Sequence, residues 1–214
     1  MATANLAPLT QSTSAPPLIV GPEHHGLPMA YHEYGEADFQ SGWRYELSRG
    51  IVIVTQIPGI HHGLTVLRFA RLFLLYNEVH PGVIHYQGGG AETRLRLEGM
   101  MSDRHPDQAI YLRPYPKGPD LWARWAPDLA VEVVSQGGED RDYILKREEY
   151  LVAGVREYWI LDLVLRRLMV LVNVGGTWQQ SLLGEEDILR TELLPGLEAR
   201  VGDLLGPPPE AEDD

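Results

Sequence analysis

The sequence predicts an α/β domain in which a mixed central β-sheet is flanked by helices and preceded by a β-hairpin. Three observations carry this. Two β-prone runs, 43–47 and 51–55, enclose the short turn Ser48-Arg49-Gly50. The stretch Ile60–Val79 repeats apolar residues at helical spacing. The run Leu129–Val134 is apolar at all but one position, as a strand covered on both faces must be, and a helical stretch and a second hairpin pattern follow it.

The elements follow in order along the chain. Residues 1–20 are rich in Ala, Thr, Ser and Pro without an apolar period, and a flexible arm is expected there. Residues 21–206 are expected to form one domain, with regular structure beginning near Trp43. Pro58-Gly59 ends the first hairpin, and Leu64, Leu67, Ala70, Leu72, Leu74 and Leu75 mark the following helix as amphipathic. Pro81-Gly82 stops it. Short strands are expected at 83–86, 92–97 and 107–112. Segment 113–127, with four prolines and two tryptophans, is expected to be a loop or lid. A helix is expected at 139–153, closed by Gly154, and then a hairpin from 157–163 and 166–174. After Pro207-Pro208-Pro209 the chain ends in an acidic tail, 207–214, expected to be disordered. Gly88-Gly89-Gly90 lacks the strand-to-helix setting and the lysine of a phosphate-binding loop, and a simple turn is expected.

Composition narrows the function classes. With 44% hydrophobic and 22% charged residues the chain resembles an ordinary globular domain, and with no cysteine it can build neither a disulfide framework nor a thiolate metal site. The first twenty residues carry no Lys or Arg, and their longest apolar run is Leu18-Ile19-Val20, unlike a secretory signal. No segment approaches the roughly 20 apolar residues of a membrane span, so a cytoplasmic location without a membrane partner is expected. The net charge of −12 opposes binding of polyanions by charge alone. Four of the acids lie in the tail, however, and a divalent-metal site itself requires carboxylates.

The informative residue is Glu132, which interrupts Leu129–Val134. An ionised carboxylate in a buried strand costs several kcal/mol unless it is compensated. Either it leaves the sheet at an edge or pairs with a buried arginine, or it ligates a metal ion. Asp107 follows Pro106 at the head of another strand. Lys146 lies on the next helix, roughly 40° from Tyr150 and 20° from Ala153 at about 100° per residue, at the margin of the apolar arc. It could snorkel to solvent there, or reach toward the sheet. Two carboxylates and a lysine suit phosphodiester hydrolysis: carboxylates hold Mg²⁺, which activates water and neutralises phosphate, and the lysine positions the water and offsets developing charge. Paired His61 and His62 do not make a zinc site, because no third His or Cys stands at ligand spacing. Trp122 and Trp125 could stack on bases, or pack their own loop down.

Several motifs occur in order: Tyr45-Glu46-Leu47, His62-Gly63, Pro106-Asp107, Leu129-Ala130-Val131-Glu132-Val133-Val134-Ser135, Lys146-Arg147-Glu148-Glu149-Tyr150, and Ala153-Gly154-Val155-Arg156-Glu157-Tyr158-Trp159-Ile160. The chain thereby resembles the Uma-two group of restriction-endonuclease-like proteins in the PD-(D/E)XK nuclease superfamily. The resemblance runs from about Tyr45 to Leu205, with Leu194-Pro195-Gly196-Leu197 similar to the closing segment. It implies a restriction-endonuclease-like core, Mg²⁺ as cofactor with Mn²⁺ able to substitute, and Asp107 and Glu132 as metal ligands. Glu46 matches an early glutamate, a further catalytic candidate, and His62 a helix-start histidine that would contact substrate or cap its helix. The superfamily's lysine usually stands two residues after the second acid, where this chain has Val134, and the resemblance shifts that role to Lys146. Two further departures are Ser135-Gln136-Gly137, where Ser-Pro-Ser is usual, and the Trp-rich loop.

The implied activity is Mg²⁺-dependent endonucleolytic cleavage of nucleic acid, DNA in the first instance. A homodimer is expected by analogy, since two sites related by a twofold axis cut two strands. The alternative is a catalytically inactive nuclease-fold module used for binding or assembly.

Overall fold

The computed structural model describes residues 17–134 and 138–208. Residues 1–16, 135–137 and 209–214 lie outside them, and with them most of the expected arm and acidic tail. The arm's last residues already belong to the fold: β1 (Ile19–Val20) pairs in parallel with β2 (Asp38–Phe39), and Val20 is buried. Regular structure therefore starts well before Trp43, and a short helix, α1 (Tyr31–Glu36), joins the two strands. Its single buried residue, Tyr34, is too little apolar signal for periodicity to register.

The first hairpin forms as expected. β3 (Trp43–Ser48) and β4 (Ile51–Gln56) pair antiparallel through Ser48↔Ile51, leaving Arg49 and Gly50 as a two-residue turn. Both turn residues have positive φ, 52° and 80°, the conformation that matches the twist of the strands it joins. α2 (Ile60–Val79) runs over the predicted residues, but it presents a different face from the one its leucines suggest. The buried stripe is Thr65, Phe69, Phe73 and Tyr76, while Leu64, Leu67, Leu74 and Leu75 are exposed. Aromatic rings bury the most area per residue, so a stripe of three outweighs a more numerous scatter of leucines.

The strands after α2 are shorter than expected and displaced: β5 (Tyr86–Gly88), β6 (Leu95–Leu97), β7 (Ser102–Arg104) and β8 (Gln108–Tyr111). β7 is absent from the sequence reading because its residues, Ser-Asp-Arg, are polar and yet all buried. β9 (Leu129–Val134) is the predicted central strand. The chain then passes through a π-helical turn, Arg141–Leu145, into α3 (Lys146–Val152). Gly154, at φ 78°, ends the helix in the left-handed region. β10 (Glu157–Asp162), β11 (Arg167–Val174), β12 (Thr177–Gly184), β13 (Ile188–Arg190), β14 (Glu198–Arg200) and α4 (Val201–Leu205) complete the chain.

The main sheet has the order β12-β11-β10-β9-β8-β5, with β9 and β10 parallel and the other pairs antiparallel. A second sheet has the order β4-β3-β7-β6. β9 alternates its side chains between two cores. Leu129 and Val131 join Phe69, Phe73, Trp159 and the α4 leucines on one face; Ala130 and Val134 join Tyr150, Tyr158 and Ile160 on the other. Glu132 belongs to the second face, toward α3. The 113–127 segment is a loop with one helical turn, Leu121–Ala123, and Trp125 is buried against Tyr111 and Tyr86 with Trp122 stacked beside it. Of the two readings of these tryptophans, packing is the one observed. Among the described residues no helix is long and apolar enough to cross a membrane.

The two faces of α2 differ in what truncation costs. Phe73→Ala is expected to lower stability by about 3–5 kcal/mol through loss of a fully buried ring, whereas Leu74→Ala, at a residue 58% exposed, should stay within about 0.5 kcal/mol of the parent. Urea unfolding of the two variants checks the orientation of the helix.

Candidate active site

β8 and β9 bring the two predicted acids together. Their antiparallel register pairs Gln108 with Val131, and its continuation sets Asp107 opposite Glu132. Asp107 stands just ahead of its strand, so its carboxylate is free to turn toward β9, where Oδ2 accepts the Val133 N–H at 2.9 Å. The same oxygen accepts from His62 Nε2 at 3.0 Å, and Oδ1 accepts from Arg44 at 2.9 Å. His62 reaches Asp107 from the first turn of α2; His61 is exposed. Burial raises the Asp107 carboxyl, but His62, Arg44 and Lys146 outweigh it and hold the group well below the usual carboxylate range.

Glu132 is central in the sheet, not at an edge, and its partners are a lysine and a tyrosine. Oε1 forms an ion pair with Lys146 Nζ at 2.9 Å and accepts from the Tyr150 hydroxyl at 2.5 Å. Oε2 has no hydrogen-bond partner among the described residues. Burial, reinforced by the charges of Asp107, Asp142 and Glu46, outweighs Lys146 and pushes the carboxyl up to about 8. Lys146, only 3% exposed, turns inward from its helix. Its ammonium lies 3.4 Å from Glu46 and 3.2 Å from Asp142 as well. Burial alone would lower its pKa; Glu132, Glu46 and Asp142 together raise it, so it stays a cation. Glu46 also takes the His105 N–H and Arg104, and despite burial it is held down at about 2 by Lys146, Arg104 and Arg141.

These groups border one cavity of about 290 Å³. Asp107, Glu132, Lys146, Glu46 and His62 line it together with Arg44, Arg94 and Arg141 and the aromatic rings of Tyr34, Phe39, Trp43 and Tyr45. Every sequence-predicted site residue is therefore at this cavity.

The site also depends on residues that sequence reasoning passed over. Arg44 and Asp142 contact the predicted residues directly, and Asp142 was visible as an i,i+4 partner of Lys146. Arg104 and Glu149, both fully buried, form a doubly hydrogen-bonded pair at 2.5 and 3.1 Å. Ser48 and Ser102 complete it, joining β3, β7 and α3. Nothing in a polar Ser-Asp-Arg segment announces such a pair. Gly89 is a third case, not the simple turn expected. A Cβ there would lie 2.0 Å from the Asp107 carbonyl oxygen, and the next residue, Gly90, donates its N–H to Pro106. The glycine segment packs directly on the backbone that aims Asp107.

The acids can serve a cation. Among the described residues no three His, Cys, Asp or Glu side chains are grouped as a ready-made metal site. Mg²⁺ does not require one: it is commonly held by one or two carboxylates, waters and substrate phosphates. Two hard carboxylates facing one cavity, one with an open oxygen, fit that chemistry, whereas a zinc-type set is not present.

Comparison with known proteins follows this geometry. The Uma2 family, described as "Putative restriction endonuclease", matches residues 30–202. Among solved structures, a "putative nuclease belonging to DUF820" from Anabaena variabilis superposes with a TM-score of 0.62 over 83% of this chain and 98% of that one. At 15% identity this establishes a shared fold. No curated protein matches.

Two substitutions probe how the site is held. Gly89→Ala is expected to displace the Asp107 backbone and to lower thermal stability clearly, which melting measurements against the parent resolve. Arg104→Met should cost about 3–5 kcal/mol by stranding the Glu149 charge, and adding Glu149→Leu should restore part of that. A double-mutant cycle in urea gives the coupling.

Proposed function

This chain belongs to the Uma2 family, and on that premise we propose that it is a divalent-metal-dependent nuclease that hydrolyses phosphodiester bonds of DNA, with its reaction centre at Asp107, Glu132 and Lys146. The observation that carries the proposal is a buried ammonium, Lys146 Nζ, 2.9 Å from Glu132 in a cavity also bordered by Asp107. An ammonium at the border of a cavity that both acids also border can meet a water or a phosphate placed there.

Asp107 and Glu132 would hold Mg²⁺, or Mn²⁺ in its place, which when bound supplies an activated water and neutralisation of the scissile phosphate. The remaining work falls to the chain's own groups. Three carboxylates fix the position of the Lys146 ammonium, and its charge can offset the charge that grows on the phosphoryl oxygens. Glu46 and Asp142 hold that ammonium in place; they are positioning residues. Arg44 and His62 fix the Asp107 carboxylate through separate oxygens. Tyr150 fixes Glu132 from the α3 side. Two copies of the chain would supply the pair of sites needed for both strands of a duplex.

A second reading has one observation in its favour: Asp107 and Glu132 already have protein cations as partners, as they would in a module that keeps the fold for binding or assembly. Metal binding separates the two. Calorimetry with Mg²⁺ and Mn²⁺ should show binding to the parent and none to Asp107→Ala or Glu132→Ala. Cleavage of DNA should stop with chelator and fall on the order of 10²–10⁴-fold in Lys146→Met. A folded parent that binds no metal and cuts no DNA at millimolar Mg²⁺ would select the binding module instead.

A further inference from the structure

The aromatic side of the cavity has no part in the hydrolysis just described. β3 pairs with β4 along its whole length but meets β7 only at Leu47↔Asp103. From Trp43 to Glu46 its other edge has no strand partner among the described residues, and all four residues border the cavity. Side chains from both faces of the strand can then border one space: Arg44 and Glu46 turn toward Asp107 and Lys146, and Trp43 and Tyr45 form the opposite side. Phe39 adds a ring 5.0 Å from Tyr45 and 5.0 Å from Tyr34.

Two of these rings are not used up by the fold. Trp43 is 36% exposed and Phe39 39% exposed. Among the described residues Trp43 makes no ring–ring contact, and its indole N–H has no acceptor. The contrast with Trp122 and Trp125 is direct, because those are packed against Tyr86 and Tyr111. An exposed indole beside an open cavity is a surface for another π-system. Trp43 borders the same cavity as Asp107, Glu132 and Lys146, so a base on its ring would share that cavity with the acids.

We propose that Trp43 and Phe39 form a stacking platform for one unpaired DNA base, placing the adjoining phosphodiester at Asp107, Glu132 and Lys146. The substrate class is then a single strand, or a nucleotide turned out of a duplex, and not an intact paired helix. This rests on the nuclease reading for the chemistry, but the platform itself is a binding site and can be tested without cleavage. Charge agrees with it. A chain of net charge −12 is poorly suited to gather a duplex by its phosphates alone, whereas stacking on an aromatic ring adds affinity that does not come from charge. The cavity, at about 290 Å³, also suits one nucleotide unit better than a helix. Turning a base out costs least where it is mismatched or already unpaired.

The test uses the full chain with three matched DNAs: a short single strand, the same sequence as a duplex with one mismatch, and the fully paired duplex. Binding is measured in chelator by tryptophan fluorescence and anisotropy. The single strand should bind tightest, the mismatched duplex next, the paired duplex weakest, with quenching that shrinks in Trp43→Phe. Trp43→Leu and Phe39→Leu, which keep apolar bulk but remove the ring, should each weaken single-strand binding roughly tenfold. Unchanged affinity in both leucine variants, or preference for the paired duplex, overturns the platform. Cleavage is then assayed on the same DNAs with Mg²⁺. Ring-dependent binding without cleavage removes the nuclease reading and leaves the platform; cleavage indifferent to both rings does the reverse.

Discussion

A lysine ammonium taken out of water is tolerable only where anions surround it, and Lys146 has three carboxylates within 3.4 Å. Each comes from a different part of the chain. Glu132 lies in the central strand β9, Glu46 in the hairpin sheet, and Asp142 in the π-helical turn ahead of α3. Their attraction for one cation therefore joins the main sheet, the second sheet and the helix between β9 and β10 at a single point. The dependence is mutual. Without Lys146, Glu132 would be a carboxylate in the middle of an apolar strand, and Glu46 would lose its strongest counter-charge. The π-helical turn belongs to the same arrangement, since such insertions gather at functional sites and this one leads directly into Lys146.

A second buried pair, Arg104 with Glu149, stands beside the first and shares Glu46 with it. Buried polar networks of this kind add little to stability compared with an apolar core of the same volume. What they supply is geometry: Arg104 and Glu149, bonded to each other and to Ser48 and Ser102, are held in one position. That is a useful property around a centre that must hold charges at fixed distances before substrate arrives. The apolar stripe of α2, by contrast, does the ordinary work of stability on the far face of the sheet and also carries His62 to Asp107.

Periodicity shows what is packed, and it served for β3, β4, α2, β9 and β10. It failed where packing was not apolar or was ambiguous. β7 is buried through Ser102, Asp103 and Arg104, so its burial is written in partners, not in hydropathy. In α2 two apolar stripes compete, and only the aromatic area of one decides between them. At the site, Glu132 was legible because it violates its strand, and Lys146 because it lies at a helix margin. Arg44, Arg104, Glu149 and Gly89 break no local rule. Their roles depend on residues 18 to 63 positions away and exist only once the sheets have met.

The overall acidity of the chain and a polyanionic substrate are less opposed than they first look. Around the cavity, the carboxylates of Glu46, Asp107, Glu132 and Asp142 are interleaved with Arg44, Arg104, Arg141 and Lys146, so the local field is far weaker than the net charge suggests. A bound divalent cation would tip it positive just where a phosphate must sit. Long-range steering toward DNA would remain poor, and affinity would have to come from short-range contacts. Stacking on Trp43 and Phe39 would be such a contact. An acidic nuclease of this design would ignore most duplex DNA and engage it where a base is already free.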